Sequence, residues 1–167
     1  VAFSAPMFGI HIAPHLRPVA WILGHIMPLL GKGASYPPTT SPESYVLTAP
    51  YEDNMLTTDP TMFELMTDQV AKYSALGLGG PSFIWLREAL RETRSLAALP
   101  SPDIPTLTFL GTNERIVRVS SIYDRMKRWD NGNLTLVEDA EHEILMERQG
   151  IRDDAFDQIA ALFADQT

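Results

Sequence analysis

The stretch "VEDAEHEILMERQG" at positions 137–150 sets His142 between two glutamates, directly after the apolar-polar run "NLTLVED". Upstream, "TLTFLGTNERIV" places Glu114 in the same relation to a second apolar run. A carboxylate beside an imidazole can fix its tautomer, orient the ring and stabilise it when protonated. Such a histidine can act as a general base. The pairing requires both loops to leave the same edge of one fold. Residue types alone leave alternatives open, because Asp139, Glu141 and Glu143 lie nearer to His142 along the chain. A run of acids on a loop is also ordinary solvated surface.

Hydrophobic periodicity supplies the elements that could bring the loops together. "SFIWLREALRETRSLAAL" (82–99) reads as an amphipathic helix, with Ser82 as N-cap and Trp85, Leu86, Ala89 and Leu90 on one side. "PSPDIP" breaks it, and "TLTFLG" (106–111) is a short buried strand stopped by Gly111. "SSIYDRMKRW" reads as a helix with Ser121 and Asp124 in capping-box spacing and Ile122, Met126 and Trp129 on one face. "LTLVE" (134–138) is a second strand, and "RDDAFDQIAALFADQ" a closing helix on Ala155, Phe156, Ile159, Ala160 and Phe163. Alternation of helix and strand predicts an α/β fold, a parallel sheet with helical crossovers. "VAFSA" (1–5) is expected to add a third strand. Chemistry in such sheets collects where strands end at their carboxyl edge, the position of both Glu114 and His142.

Residues of about 11–80 differ in character, being rich in proline, methionine and aromatics. Asp59 and Pro60 make a cap and first turn for a helix over roughly 60–75. The stretch is too long for a simple connection and is expected to form an inserted, largely helical cap. Five methionines (Met7, Met27, Met55, Met62 and Met66) precede the helix at 82. They read either as core filler or, for Met7, Met55, Met62 and Met66, as an adaptable acyl pocket with Trp85 near its floor.

Composition excludes several function classes. A net charge of -8 and a pI near 4.9 argue against a nucleic-acid partner, and would be repelled by an anionic membrane surface. Any lipid contact should therefore be apolar. Without cysteine there is no disulfide and no thiolate ligand or nucleophile. The apolar run "VAWILGHIMPLL" is interrupted by His25 and Pro28 and is too short to span a bilayer. His11 and His15 in "HIAPH" have i, i+4 spacing, but Pro14 opposes a regular helix and no carboxylate completes a set, so no metal is expected. "GLGG" (77–80) lacks the flanking strand and Lys-Ser/Thr of a phosphate loop. "VAFSAPM" opens at once in a buried-strand register, which suggests the back part of a longer chain.

"SAPMFGI", "NMLTTDP", "LGGPSFIWLREAL", "FLGTNERIV" and "DAEHEILME", in that order and over nearly the whole chain, resemble the bacterial lysophospholipase and monoacylglycerol-lipase branch of the α/β-hydrolases. The resemblance implies the C-terminal part of that fold, with the cap inserted at about 11–80. It also implies a carboxylic-ester hydrolase for a single-chain lipid ester, a lysophospholipid or monoacylglycerol, with no cofactor. It assigns His142 as general base and Glu114 as the triad acid, where many relatives carry Asp. The nucleophile elbow G-x-S-x-G is absent: Ser4 is followed by "APM" and Ser35 lies in "GASYP". The chain alone is therefore expected to be inactive and to need the N-terminal half of the fold or self-association. A cytoplasmic place with peripheral membrane contact follows from the same resemblance. An α/β-hydrolase with an Asp nucleophile, cleaving epoxides or haloalkanes, and a non-catalytic binding module are the alternatives.

Overall fold

The structure, a computed structural model, describes residues 1–164. Three parallel strands form its sheet in the order β1 (Ala2–Ser4), β2 (Thr106–Gly111) and β3 (Gly132–Val137). Leu107 pairs with Ala2 on one side and Asn133 on the other. The central strand is buried at every position, as an apolar run covered on both faces must be.

Six helices accompany the sheet among the described residues: α1 (Arg17–Leu29), α2 (Tyr45–Thr48), α3 (Pro60–Lys72), α4 (Phe83–Ala98), α5 (Val119–Met126) and α6 (Gln149–Ala164). Leu110, Val117, Ile122, Met126 and Trp129 form one core cluster, with Phe3 and Phe8 packed against it. Leu107, Phe109, Ala140, Ile144 and Ala155 form the other, beneath α6. The expected helix starts at Asp59 and Ser82 are present. Asp59 accepts from the Thr61 and Met62 amides, and Ser82 from the Trp85 amide.

Several sequence expectations fail in detail. α5 starts at Val119 with Arg118 before it and no side-chain cap, so Ser121 and Asp124 form no capping box. Ser121 instead accepts a hydrogen bond from Arg118 Nε. The start is fixed by tertiary contact, since the Arg118 amide bonds the Gly9 carbonyl. α6 packs through Ile151, Ala155, Ile159 and Leu162, leaving Phe156 and Phe163 exposed by 51% and 53%. The inward stripe is thus rotated from the one read by periodicity. The periodicity also carries α6 through Gln166, and residues beyond 164 lie outside those described. Trp85 is exposed by 43%, because α4 faces inward through Phe83, Ala89 and Thr93. α1 is a helix that the sequence reading did not assign, its two prolines sitting in the first turn and near the end.

All three strands deliver their loops to one edge, and the loops are sewn together there. Ile10, after β1, bridges antiparallel to Val117, after β2. Beyond β3, Asp139 takes a left-handed backbone (φ 57°) that turns the chain back over the end of β2. Its amide donates to Thr112 Oγ1 and its carbonyl accepts from Asn113 Nδ2. Gly111 makes this crossing possible: a Cβ there would lie 2.2 Å from the Ala140 carbonyl oxygen and 2.6 Å from that of Glu141. Gly111→Ala is expected to lower unfolding stability by about 3 kcal/mol in urea titration, as overpacking against backbone does. A loss under about 0.5 kcal/mol would show that the loop yields freely.

Candidate active site

Glu114 stands three residues beyond β2, in a turn closed around its own carboxylate. One oxygen, Oε1, accepts from the Ile116 amide at 2.6 Å and the Val117 amide at 2.9 Å. The other, Oε2, lies 2.7 Å from His142 Nδ1. The Glu114 side chain has no solvent exposure and that of His142 is 20% exposed. Every contact of the carboxylate is therefore a hydrogen bond inside the protein, which a buried charge requires.

The same contacts set the ionisation of both groups. Burial pushes the Glu114 carboxyl up, but the bond to His142 and the two amides outweigh it and hold it below its ordinary value. Burial pushes His142 down, yet the Glu114 bond and charge, with the charge of Glu143, raise it above 6.5. With Glu114 ionised, Nδ1 must carry the proton it donates. That fixes the tautomer and leaves Nε2 as the proton acceptor, and no hydrogen bond to Nε2 occurs among the described residues.

None of the competing acids forms an ion pair with His142 among the described residues. Glu141 pairs with Arg115 at 2.8 Å, and the Asp139 backbone is tied to the loop after β2. The serines stand apart from any strand-to-helix elbow. Ser4 ends β1 with its Oγ buried and without a hydrogen-bond partner, and Ser35 lies in an exposed turn. Among the described residues no group of three or more His, Cys, Asp or Glu could hold a metal.

The residues named for an acyl pocket are not drawn into one cavity with Trp85. The concavity bordered by Trp85 is walled by Ala34, Tyr36, Leu78 and neighbours, and none of the four methionines belongs to it. Met7 is exposed by 40%, while Met55, Met62 and Met66 are half-buried. Met55 has another place: its carbonyl accepts the His142 amide at 3.2 Å.

That contact belongs to a seam the sequence reading missed. The Glu143 amide bonds the Leu56 carbonyl at 2.7 Å, and Thr57 Oγ1 bonds the Met146 carbonyl. Glu147, fully buried, is its centre. Its carboxylate accepts from the Glu141 amide at 2.8 Å, from the Thr58 amide and from the Thr58 hydroxyl. Arg115 reaches the Asn54 carbonyl, and Arg152 joins Asp59 to the Glu147 carbonyl. Residues 54–59 are thereby bound to the loop that carries His142. In "EHEILME" nothing distinguished Glu147 from a solvated acid; only "NMLTTDP", noted for its resemblance, hinted at its partner.

Residues 1–149 match the model of the Hydrolase_4 family, described as serine aminopeptidase, S33. The chain belongs to this family. A curated relative, the probable lysophospholipase L2 of Haemophilus influenzae, is 28% identical over 150 residues, 89% of this chain and 46% of that protein. A soluble variant of the Saccharomyces cerevisiae monoglyceride lipase, solved with a substrate analogue, superimposes with TM-score 0.68 at 15% identity, covering 99% of this chain and 55% of that one. The Paleococcus ferrophilus monoacylglycerol lipase gives 0.64 at 15% identity, covering 98% and 58%. These likenesses show an α/β-hydrolase fold, and the chain spans about half the length of the relatives it matches.

Three outcomes follow from this geometry. The His142 ring protons, followed by NMR, should titrate with a midpoint above 6.5 that falls in Glu114→Gln. The raised histidine adds stability that is complete below its unfolded value and lost as pH rises through its folded midpoint. The lowered carboxylate adds stability that is present above its unfolded value and lost as pH falls through its folded midpoint. Glu114→Gln should therefore cost most between pH 4.5 and 6.5 and less at pH 9; an equal cost at both would contradict the ion pair. Glu147→Ala should lower stability by about 3 kcal/mol, because it strands buried donors on both sides of the seam.

Proposed function

We propose that this chain supplies the acid and base of a serine-hydrolase site for a single-chain lipid ester, a lysophospholipid or monoacylglycerol. The observation that carries the reading is the 2.7 Å contact between Glu114 Oε2 and His142 Nδ1, in a chain of this family. The names of the curated relative and the structural neighbours point to the substrate class.

In the proposed reaction a serine Oγ adds to the ester carbonyl while His142 Nε2 takes the hydroxyl proton. His142 returns that proton to the leaving alcohol, and the cycle repeats with water against the acyl-serine. Glu114 keeps the ring oriented and offsets its charge when both nitrogens are protonated. The serine and its oxyanion donors would come from an N-terminal half of the fold, since no G-x-S-x-G occurs in this sequence. Residues of about 11–80 would form the cap, with Met55, Met62 and Met66 nearest the proposed acyl path.

Contact with a lipid surface fits the same reading. Val19, Ile22, Ile26 and Leu29 recur at helical spacing along α1 and all are exposed, an apolar stripe on the surface. No described helix is long and apolar enough to cross a membrane.

The test is complementation. The chain alone should leave monoolein and short-chain p-nitrophenyl esters intact. Turnover should appear when an α/β-hydrolase half carrying a serine elbow is supplied with it. His142→Ala should then reduce kcat by about 10⁴-fold or more, as loss of a triad base does. Turnover by the chain alone would place the nucleophile within it, with Ser4 and Ser35 the first to replace. Undiminished turnover by His142→Ala on complementation would remove His142 from the mechanism.

A further inference from the structure

A second concavity, of about 260 Å³, lies between α1, α4 and the start of α5. Arg17, Arg94 and Arg118 all border it, and no Asp or Glu does. With 21 acidic residues against 13 Lys and Arg, an acid-free wall holding three arginines runs against the composition of the chain. Four of the seven other arginines find carboxylates, Arg87 and Arg91 on Glu88, Arg115 on Glu141 and Arg152 on Asp59, and Arg125 and Arg128 spend Nη groups on carbonyl oxygens. Arg17, Arg94 and Arg118 form no ion pair among the described residues. Glu88 and Glu92 border the neighbouring groove beside Arg94, and Asp124 borders a cleft beside Arg118, yet none reaches ion-pair distance of these guanidiniums.

Each of the three is anchored by one part of the group. Arg17 donates Nε to the Ile12 carbonyl at 3.2 Å. Arg118 donates Nε to Ser121 Oγ. Arg94 stacks its guanidinium over the Trp21 ring at 5.9 Å. The Nη edges, which make the paired hydrogen bonds to oxyanions, have no hydrogen-bond partner among the described residues. Gly9 keeps the wall open, because a Cβ there would lie 2.4 Å from Ser121 Oγ and 3.0 Å from Arg118 Nε. Three mutually repelling cations, each held but unpaired, form a site whose missing component is an anion.

We propose that this cavity binds a phosphate group. A tetrahedral oxyanion presents oxygens in several directions and can engage separated guanidinium forks, whereas a carboxylate presents two oxygens in one plane. The apolar side chains of Ile10, Ile12 and Leu90 would flank the organic part of a phosphate ester. The volume falls below the roughly 300–1,000 Å³ of pockets that enclose a whole drug-sized ligand, so it suits a head group and not an acyl chain. The phosphate could belong to a lysolipid head group or be free inorganic phosphate. The site shares no residue with the Glu114–His142 pair and is tested without it.

Titration of the 167-residue chain with inorganic phosphate, glycerophosphocholine, glycerol and acetate, read by NMR on the arginine Nε–H resonances, decides it. Phosphate or glycerophosphocholine should shift the Arg17, Arg94 and Arg118 signals. Arg94→Gln, at an exposed position, and Arg118→Gln should each weaken binding by about tenfold or more, a typical loss for a charge-assisted pair. His142→Ala should leave binding unchanged, which separates this site from the proposed catalytic one. Glycerophosphocholine binding tenfold tighter than inorganic phosphate identifies the lipid head group as the source, and the reverse order identifies free phosphate. No shift at 20 mM (about 100 times the Kd of a 5 kcal/mol interaction) overturns the proposal, as does acetate binding as tightly as phosphate. Retention of full affinity in both arginine variants overturns it as well.

Discussion

The organisation at the carboxyl edge of the sheet depends on keeping the Glu114 carboxylate ionised where its side chain has no access to water. A buried carboxylate is tolerated only when its oxygens find donors inside the protein. Two come from its own loop, the Ile116 and Val117 amides, and their geometry obliges the chain to fold round the side chain. The third is His142, which lies on the loop beyond the next strand. The local turn therefore holds the acid in place before the ring arrives, and the ring gains a fixed tautomer from an acceptor that cannot move away.

Bringing His142 to that acceptor is a backbone problem. The chain leaving β3 must reverse across the end of β2, and it does so through left-handed Asp139 and over the bare Cα of Gly111. A second buried carboxylate, Glu147, then holds the far side of the loop by accepting from Glu141 and Thr58. Two acids thus perform different tasks. Glu114 sets the electrostatics of the imidazole, and Glu147 joins the loop beneath it to residues 54–59. Since those residues lead into α3, movement there would reach the His142 loop through hydrogen bonds to Met55 and Leu56.

The outer surfaces tell a different story from this interior seam. α1 and α6 both leave large apolar side chains outside, Leu29 at 83% exposure and Phe163 at 53% among them. Single exposed hydrophobics are ordinary, whereas a repeated stripe along one helix marks a surface that meets another apolar phase. The arginine-lined cavity meets α1 on another side, through Arg17 and Trp21. α1 thus carries an apolar face and a separate cationic one in an otherwise acidic chain.

Elements with a local cause can be read from the residues alone. Asp59-Pro60 and Ser82 cap helices through side chains that reach amides two or three residues on, and "TLTFLG" is a strand wherever it is buried. The sequence also placed Glu114 and His142 at the ends of neighbouring strands, because a parallel sheet sends every loop after a strand to one edge. What sequence could not choose was the partner of His142, since Asp139, Glu141 and Glu143 are all within chemical reach; tertiary structure chose Glu114 by occupying Glu141 with Arg115. Periodicity turned Ala89, Ala155 and Ile159 inward correctly but misjudged Trp85, Phe156 and Phe163. Trp85 and Phe156 look like core residues by type, and only packing against the sheet settles which stripe turns inward. Glu147 was legible only in three dimensions. Its partner Thr58 is distant along the chain, and a carboxylate written among acids reveals nothing of whether water or an amide will satisfy it.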